Sequence, residues 1–211
     1  MGTGGGGMKA QSLQDQLKQQ QMKQVKSAKY PPFSENEVFT LQKKFKILDK
    51  NSRQSIKIEE FKELLEIRMH FFRERIYTLI EEDMKKRKTE TMDFATFMQY
   101  LTVFHPLADV ESKKDYMFKI YDLDQDGKIT KEDLTEVFKI LFMKSQTSAI
   151  QKKSMRPQIF QTNFMNKDYV EKLGKDIMNI VDDDKSNSIE LDEFVKMFTD
   201  TDLKFRMNIV F

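Results

Sequence analysis

One unit recurs four times along this chain, and that repeat constrains its fold more than any other feature. Each unit has an apolar helical pattern and then a polar segment of twelve residues. An Ile or Met stands inside the segment, and a Phe or Leu follows five residues after it. The anchor pairs are Ile56 and Phe61, Met92 and Phe97, Ile129 and Leu134, and Ile189 and Phe194. A fixed internal repeat outranks local propensity, because a single unit cannot bury its apolar face alone. Ser34, three residues before Glu37, forms a capping box that opens the first helix, and Val38, Leu41, Phe45 and Leu48 follow at helical spacing.

The polar segments have the chemistry of EF-hand loops. Such a loop presents oxygen ligands from positions 1, 3, 5, 7, 9 and 12 and turns sharply at position 6, as hard Ca²⁺ requires. The third segment supplies Asp122, Asp124, Asp126, the Lys128 carbonyl, Thr130 and Asp133, with Gly127 at the turn. Its closing residue is Asp rather than Glu, one methylene shorter, which should weaken Ca²⁺ and suit Mg²⁺ better. The fourth supplies Asp182, Asp184, Ser186, Ser188, Glu190 and Glu193, with Asn187 at the turn. Asn accepts the left-handed conformation needed there better than most residues. Glu193 keeps a two-oxygen grip.

The other two segments are degenerate. Asp49, Asn51 and Glu60 could ligate in the first, but Arg53 and Gln54 stand at positions 5 and 6, and a cation at a ligand position repels Ca²⁺. In the second, Lys85, Arg87 and Thr96 occupy positions 1, 3 and 12, so it is expected to be structural. EF-hands pair through their position-8 residues, so Ile56 should face Met92 and Ile129 should face Ile189. The expected fold is therefore all-α: four EF-hand units in two paired lobes, with short loop-to-loop β bridges.

The expected organisation is a flexible Gly/Gln/Lys-rich extension over 1–33, broken by Pro31 and Pro32, with a marginal helix or disorder at 8–29. An N-lobe of two degenerate hands spans 34–104, and a linker spans 105–110. A C-lobe of two hands spans 111–199, with a basic connector at about 144–166. An apolar tail fills 200–211. The stretch from 137 to 167 has no Asp or Glu. In the tail, Leu203, Phe205, Met207, Ile209 and Phe211 alternate with mostly polar residues, a period-2 pattern that reads as extended. That stripe either plugs an apolar groove or simply packs on the core.

Composition narrows the function. The 18 Phe and 14 Met suit apolar surfaces that open and re-pack. A net charge of +2 argues against nucleic acid as a bulk electrostatic partner. The chain has no cysteine, no run long enough for a membrane span and no secretory signal, so a reducing, cytoplasmic setting is expected, with recruitment to a partner complex or the cytoskeleton. An enzyme is not expected: there are two histidines, no nucleophile motif and no phosphate loop. His70, beside Phe71 and Phe72, reads as helix surface or packing.

The chain resembles the calcineurin B superfamily, which includes the calcineurin B homologous, plant calcineurin B-like, and calcium- and integrin-binding proteins. Phe118-Lys119-Ile120-Tyr121-Asp122-Leu123-Asp124-Gln125-Asp126-Gly127 is similar to the group's third-hand signature. Thr102 to Pro106 resembles the inter-lobe segment of the plant members. Phe205 to Phe211 resembles the apolar tails of the homologous and integrin-binding branches, and an Asp closing the third loop recurs in the latter. The resemblance covers about residues 34 to 211 and implies a non-catalytic regulatory or adaptor protein. Its apolar groove would take an amphipathic helix from a protein partner, and its own tail can cover that groove. A structural subunit with optional metal is the alternative. Members are often myristoylated at Gly2, but here Gly6 stands where Ser or Thr is wanted, which argues against lipidation.

Overall fold

The computed structural model of the protein describes residues 30–150 and 167–211; the expectations for residues 1–29, including Gly2, and for most of the connector lie outside them. The described residues fall into two compact units. Of the described residues, one unit draws on 30–68, Ile80–Ala108 and Ile209–Phe211, and the other on Met69–Leu79, 109–150 and 167–208.

In the first unit, α1 (Glu35–Leu48) begins at the expected capping box. The Glu37 carboxylate accepts from the Ser34 N–H at 2.8 Å, and Ser34 Oγ accepts from the Glu37 N–H at 3.4 Å. The chain continues through β1 (Ser55–Lys57), α2 (Ile58–Phe61) and α3 (Leu65–Arg68). It then runs into α4 (Arg73–Lys86), whose first turns belong to the second unit, and on through β2 (Thr91–Asp93) and α5 (Phe94–Thr102). Strands β1 and β2 pair antiparallel, with Ile56 opposite Met92 as expected. Phe45, Phe61 and Phe97 meet edge to face, Phe97 lying 5.3 Å from Phe45 and 5.9 Å from Phe61. Contacts of this kind each add about 0.5–1.5 kcal/mol to simple burial. His105 is buried, with Nε2 3.1 Å from Glu37 Oε1 and Nδ1 accepting from the Leu107 N–H.

The second unit holds α6 (Val110–Tyr121), α7 (Lys131–Ile150), α8 (Lys167–Val181), α9 (Leu191–Lys196) and α10 (Asp200–Met207). Ile129 and Ile189 exchange both backbone hydrogen bonds, at 2.9 and 2.8 Å, which is the expected bridge between loops. Phe194 packs against Phe118 and Tyr121, both at 5.5 Å, tying α9 to α6. A side chain at Gly174 of α8 would come within 3.1 Å of Thr135 Oγ1 on α7, so glycine permits that close approach. All eight anchor residues of the repeat are buried.

The tail departs from expectation. Residues 200–207 are helical, not extended; only 208–211 lack helix. Thr199 caps the helix in a reciprocal box with Asp202. Leu203 and Met207 lie four apart and face inward, at 1% and 0% exposure, while Phe205 is 90% exposed. The alternation in the sequence thus hid a helical i, i+4 pair. Ile209 N–H then donates to the Phe104 carbonyl at 2.7 Å, and Phe211 packs on Phe33 at 5.7 Å in the first unit.

His70 meets the end of α10. Its Nδ1 accepts from the Phe72 N–H at 3.2 Å, which leaves Nε2 to donate to the Arg206 carbonyl at 3.0 Å. Burial holds the imidazole below its ordinary value of 6.5, and the Arg206 carbonyl opposes that shift. The unfolded chain therefore takes up this proton more readily than the folded one, so stability falls as pH drops below about 6.5 toward the folded value. Acidifying metal-free protein from pH 7 to 5.5 is expected to cost about 1 kcal/mol at most, or about 2–4 °C in melting temperature. His70→Gln, titrated by circular dichroism, should lose that component; an equal drop in the variant assigns it to other groups.

Candidate metal loops

The loop from Asp122 to Asp133 joins α6 to α7. Asp122 caps the C-terminus of α6, so the helix itself fixes the first ligand position. The chain then turns through Gln125 at φ +58° and Gly127 at φ +88°. The Gly127 N–H donates to Asp122 Oδ2 at 3.1 Å, and the Asp126 N–H to Asp124 Oδ1 at 3.3 Å. Carboxylate oxygens of Asp122, Asp124 and Asp126 come within 4.8 Å of one another. Asp122 is only 3% exposed, and its Oδ1 is buried with no hydrogen-bond partner. Burial pushes the Asp122 carboxyl above its ordinary value, the Gly127 and Gln125 N–H groups oppose this, and Asp126 and Asp124 add to the rise. A buried, unpartnered oxygen among converging carboxylates is costly alone and suits a hard divalent cation.

Asp133 sits differently from the other carboxylates. Its Oδ2 accepts from the Thr130 N–H and hydroxyl at 2.8 and 2.6 Å, and its Oδ1 from the Leu123 N–H at 3.3 Å. It binds the backbone around the loop and is not one of the three converging groups. The Lys128 side chain points to Glu190 Oε1 at 3.3 Å, across the Ile129–Ile189 bridge.

The loop from Asp182 to Glu193 joins α8 to α9. Lys185 and Asn187 take φ +61° and +63°, so Asn187 performs the turn expected of glycine. The Ser186 and Asn187 N–H groups donate to the two Asp182 oxygens at 3.0 and 2.9 Å. The Ser186 N–H also holds the Asp184 carboxyl below its ordinary value. Asp182, Asp184 and Glu193 converge within 4.8 Å. Glu193 also accepts from the Asp183 and Glu190 N–H groups at 2.8 and 3.0 Å. With its extra methylene, Glu193 grips the backbone and still joins the cluster, whereas Asp133 does only the first. Ser186 Oγ lies 3.0 Å from both the Ser188 carbonyl and the Ser188 hydroxyl, and Glu190 stays at the rim.

The first loop keeps the same skeleton with an internal cation. Asp49 accepts from the Arg53 and Gln54 N–H groups at 3.0 and 2.7 Å, and Gln54 turns at φ +61°. Glu60 closes the loop by accepting from the Lys57 N–H at 2.8 Å, and its other partner is the Arg53 guanidinium at 2.7 Å. The sequence marks Arg53 as repulsive to Ca²⁺; the fold shows it also neutralising the closing carboxylate. Arg53→Asp should therefore create a weak additional Ca²⁺ site, raising calorimetric stoichiometry by one. Unchanged stoichiometry would show that more than the guanidinium blocks this loop. In the second loop, Lys88 alone turns, at φ +56°, and no carboxylate cluster forms among the described residues.

One participant is invisible to motif reading. Arg75 on α4 is 8% exposed, and its guanidinium donates into the end of α6 and the start of the Asp122 loop. Arg75 lies 47 residues before Asp122, and nothing in the loop pattern points to it.

A family model described as an EF-hand domain pair matches residues 111–199. The type 2 calcineurin B of Dictyostelium discoideum is 32% identical over 122 residues, 56% of this chain and 64% of that protein. The calcineurin B of Naegleria gruberi is 27% identical over 84% of this chain and 87% of its own length. The type 2 calcineurin B of Bos taurus is 30% identical over 52% of this chain and 62% of that protein. The chain thus spans less than two thirds of the length of two of these three relatives. Among solved structures, a chain of a PP2A PR70 holoenzyme is 17% identical with a TM-score of 0.48, covering 81% of this chain and 57% of that one, a likeness too loose to assign a function.

Proposed function

Because the chain belongs to the calcineurin B superfamily of EF-hand proteins, we propose that it is a calcium-binding regulatory subunit that grips an amphipathic helix of a protein partner. The observation that carries the metal reading is the buried, unpartnered Asp122 Oδ1 among three converging carboxylates. Asp122, Asp124 and Asp126 would hold one ion, helped by the Lys128 carbonyl and Thr130. Asp182, Asp184 and Glu193 would hold the other, helped by Ser186, Ser188 and Glu190. Bound Ca²⁺ would neutralise the converging carboxylates and hold the ligand residues of each loop together. Because Asp133 is one methylene shorter than Glu193 and, unlike it, lies outside the converging carboxylates, the Asp122 loop should favour Ca²⁺ less strongly and accept Mg²⁺.

An apolar cleft within the second unit supports the partner reading. Phe71, Phe72, Ile120, Leu123, Val137 and Leu141 line it, and Phe71 is largely exposed. In this state the cleft has room for about one water, about 10 Å³, so it would have to open to take the spaced anchors of an amphipathic helix. No described helix is long and apolar enough to cross a membrane.

The competing reading, a structural subunit with optional metal, draws support from the Arg53–Glu60 pair that closes the first loop without an ion. Ca²⁺ titration with an apolar dye, joined to a pull-down in calcium and in chelator, separates the two. The regulatory reading expects dye binding and partner capture to change at micromolar calcium. Identical results in calcium and chelator would favour the structural role.

A further inference from the structure

We propose that Arg75 is a positioning residue for the Asp122 loop, so that the loop's metal affinity is set in part by α4, a helix outside the hand that contains it. The inference rests on the reading that this loop holds a divalent ion.

The last carbonyls of a helix lack intrahelical partners, and a buried helix end must find donors elsewhere. At the end of α6 a single side chain supplies them. Arg75 Nε donates to the Ile120 carbonyl at 3.3 Å. Its Nη2 donates to the carbonyls of Lys119 at 3.1 Å and Leu123 at 3.2 Å, and also to that of Asp122. Two of these carbonyls belong to α6 and two to the first two loop residues. The planar guanidinium therefore fixes the backbone from which the Asp122 carboxylate projects, and no other residue type offers such a fork.

Apart from the Ile129–Ile189 bridge and the Lys128–Glu190 pair, which tie the far side of the loop to its twin, the restraints around Asp122 are local. Asp122 Oδ2 takes the Gly127 N–H, and Asp133 takes the Leu123 and Thr130 N–H groups. Arg75 is the contact that reaches the Asp122 end of the loop from outside this pair of hands. Among the described residues no counterpart appears in the loop from Asp182, where the comparable interactions are Glu193 with Asp183 and the two N–H groups on Asp182. The effect should therefore be specific to one loop. A cation near a metal site also disfavours a second cation. Here the guanidinium faces four carbonyl dipoles, so ordering should outweigh repulsion.

The test is a Ca²⁺ titration of the full chain followed by two-dimensional NMR. The Gly127 and Asn187 amides, each bonded to the first carboxylate of its loop, report the two loops separately. With Arg75→Met, the Asp122 loop should weaken about tenfold, or about 1.4 kcal/mol, and the Asp182 loop less than about threefold. Arg75→Lys keeps a cation with fewer aligned donors and should lie between wild type and Arg75→Met; it also decides the matter if Arg75→Met does not fold. Equal weakening of both loops would mean general destabilisation and overturn the proposal, as would an unchanged or tighter Asp122 loop. A wild-type Gly127 signal that ignores Ca²⁺ would overturn the metal reading itself, and this inference with it.

Discussion

Replacing Asp122 and Glu193 together by alanine should abolish Ca²⁺ binding, leaving no heat in a calorimetric titration. Each residue is the buried carboxylate of its cluster, and the remaining carboxylates are exposed or half-buried. Removing Asp122 deletes the ligand fixed by the end of α6 and also the acceptor for the Gly127 N–H. Removing Glu193 deletes the closing ligand and frees the Asp183 and Glu190 N–H groups. Each loss should weaken its own loop by at least about a hundredfold, or about 2.7 kcal/mol. The single variants should therefore retain about one ion each, Asp122→Ala in the Asp182 loop and Glu193→Ala in the Asp122 loop. A full complement of ions in the double variant would place the metal elsewhere.

The same variants predict a thermal signature. Ligand at a hundred times its Kd stabilises a folded protein by about 2.7 kcal/mol per site. The wild-type melting temperature should rise on adding Ca²⁺, and the double variant should not respond. In metal-free protein, Asp122→Ala should cost little. It removes an acceptor for Gly127 but also an unpartnered buried oxygen and one of three mutually repelling carboxylates. A large loss of stability in the metal-free variant would mean that Asp122 acts mainly in packing.

What the sequence disclosed was the part with a short period. The anchors five apart gave the pairing of Ile56 with Met92 and of Ile129 with Ile189, because position 8 must face its twin once the loops pair. The turns at Gly127 and Asn187 were legible because Gly and Asn accept φ near +60° to +90° most readily, whereas Gln54, Lys88, Gln125 and Lys185 turn the same way with nothing in the sequence to mark them. The rest depended on distance along the chain or on side-chain reach. Arg75 serves carbonyls more than forty residues away. The Arg53–Glu60 pair needed the fold to show that a wrong residue at a ligand position also satisfies the closing carboxylate. The twelfth position marked Asp133 as a candidate ligand; what needed the fold was its place outside the three converging carboxylates, bonded to Thr130 and Leu123. The tail misled because Leu203 and Met207 satisfy both a period of two and a helical spacing of four. Only the Thr199–Asp202 cap separates these, and an isolated capping box is weak evidence beside five alternating apolar residues.

Deleting residues 203–211 should have the second large effect. Leu203, Met207 and Ile209 are buried, and burying one such side chain is worth about 1.5–3 kcal/mol. The deletion also removes Asn208, whose side-chain oxygen accepts from Lys113 Nζ. Lys113 is a buried residue on α6 whose pKa is depressed by burial, so losing this partner is costly, and the deletion offsets that in part by removing the Lys204 charge that lowers the pKa further. The carbonyl of Arg206 is lost to His70 as well. Together these losses approach the whole stability of a small domain, about 5–15 kcal/mol. The truncated protein should bind an apolar dye strongly and melt at least about 10 °C lower. The two readings of the tail then divide on calcium. If the segment only packs on the core, added Ca²⁺ should leave the dye signal high and the lost stability unrecovered. If it covers a partner groove, Ca²⁺ should restore cooperative melting while dye binding persists, and an amphipathic peptide should compete that dye away. An unchanged dye signal on deletion would remove the tail from both roles.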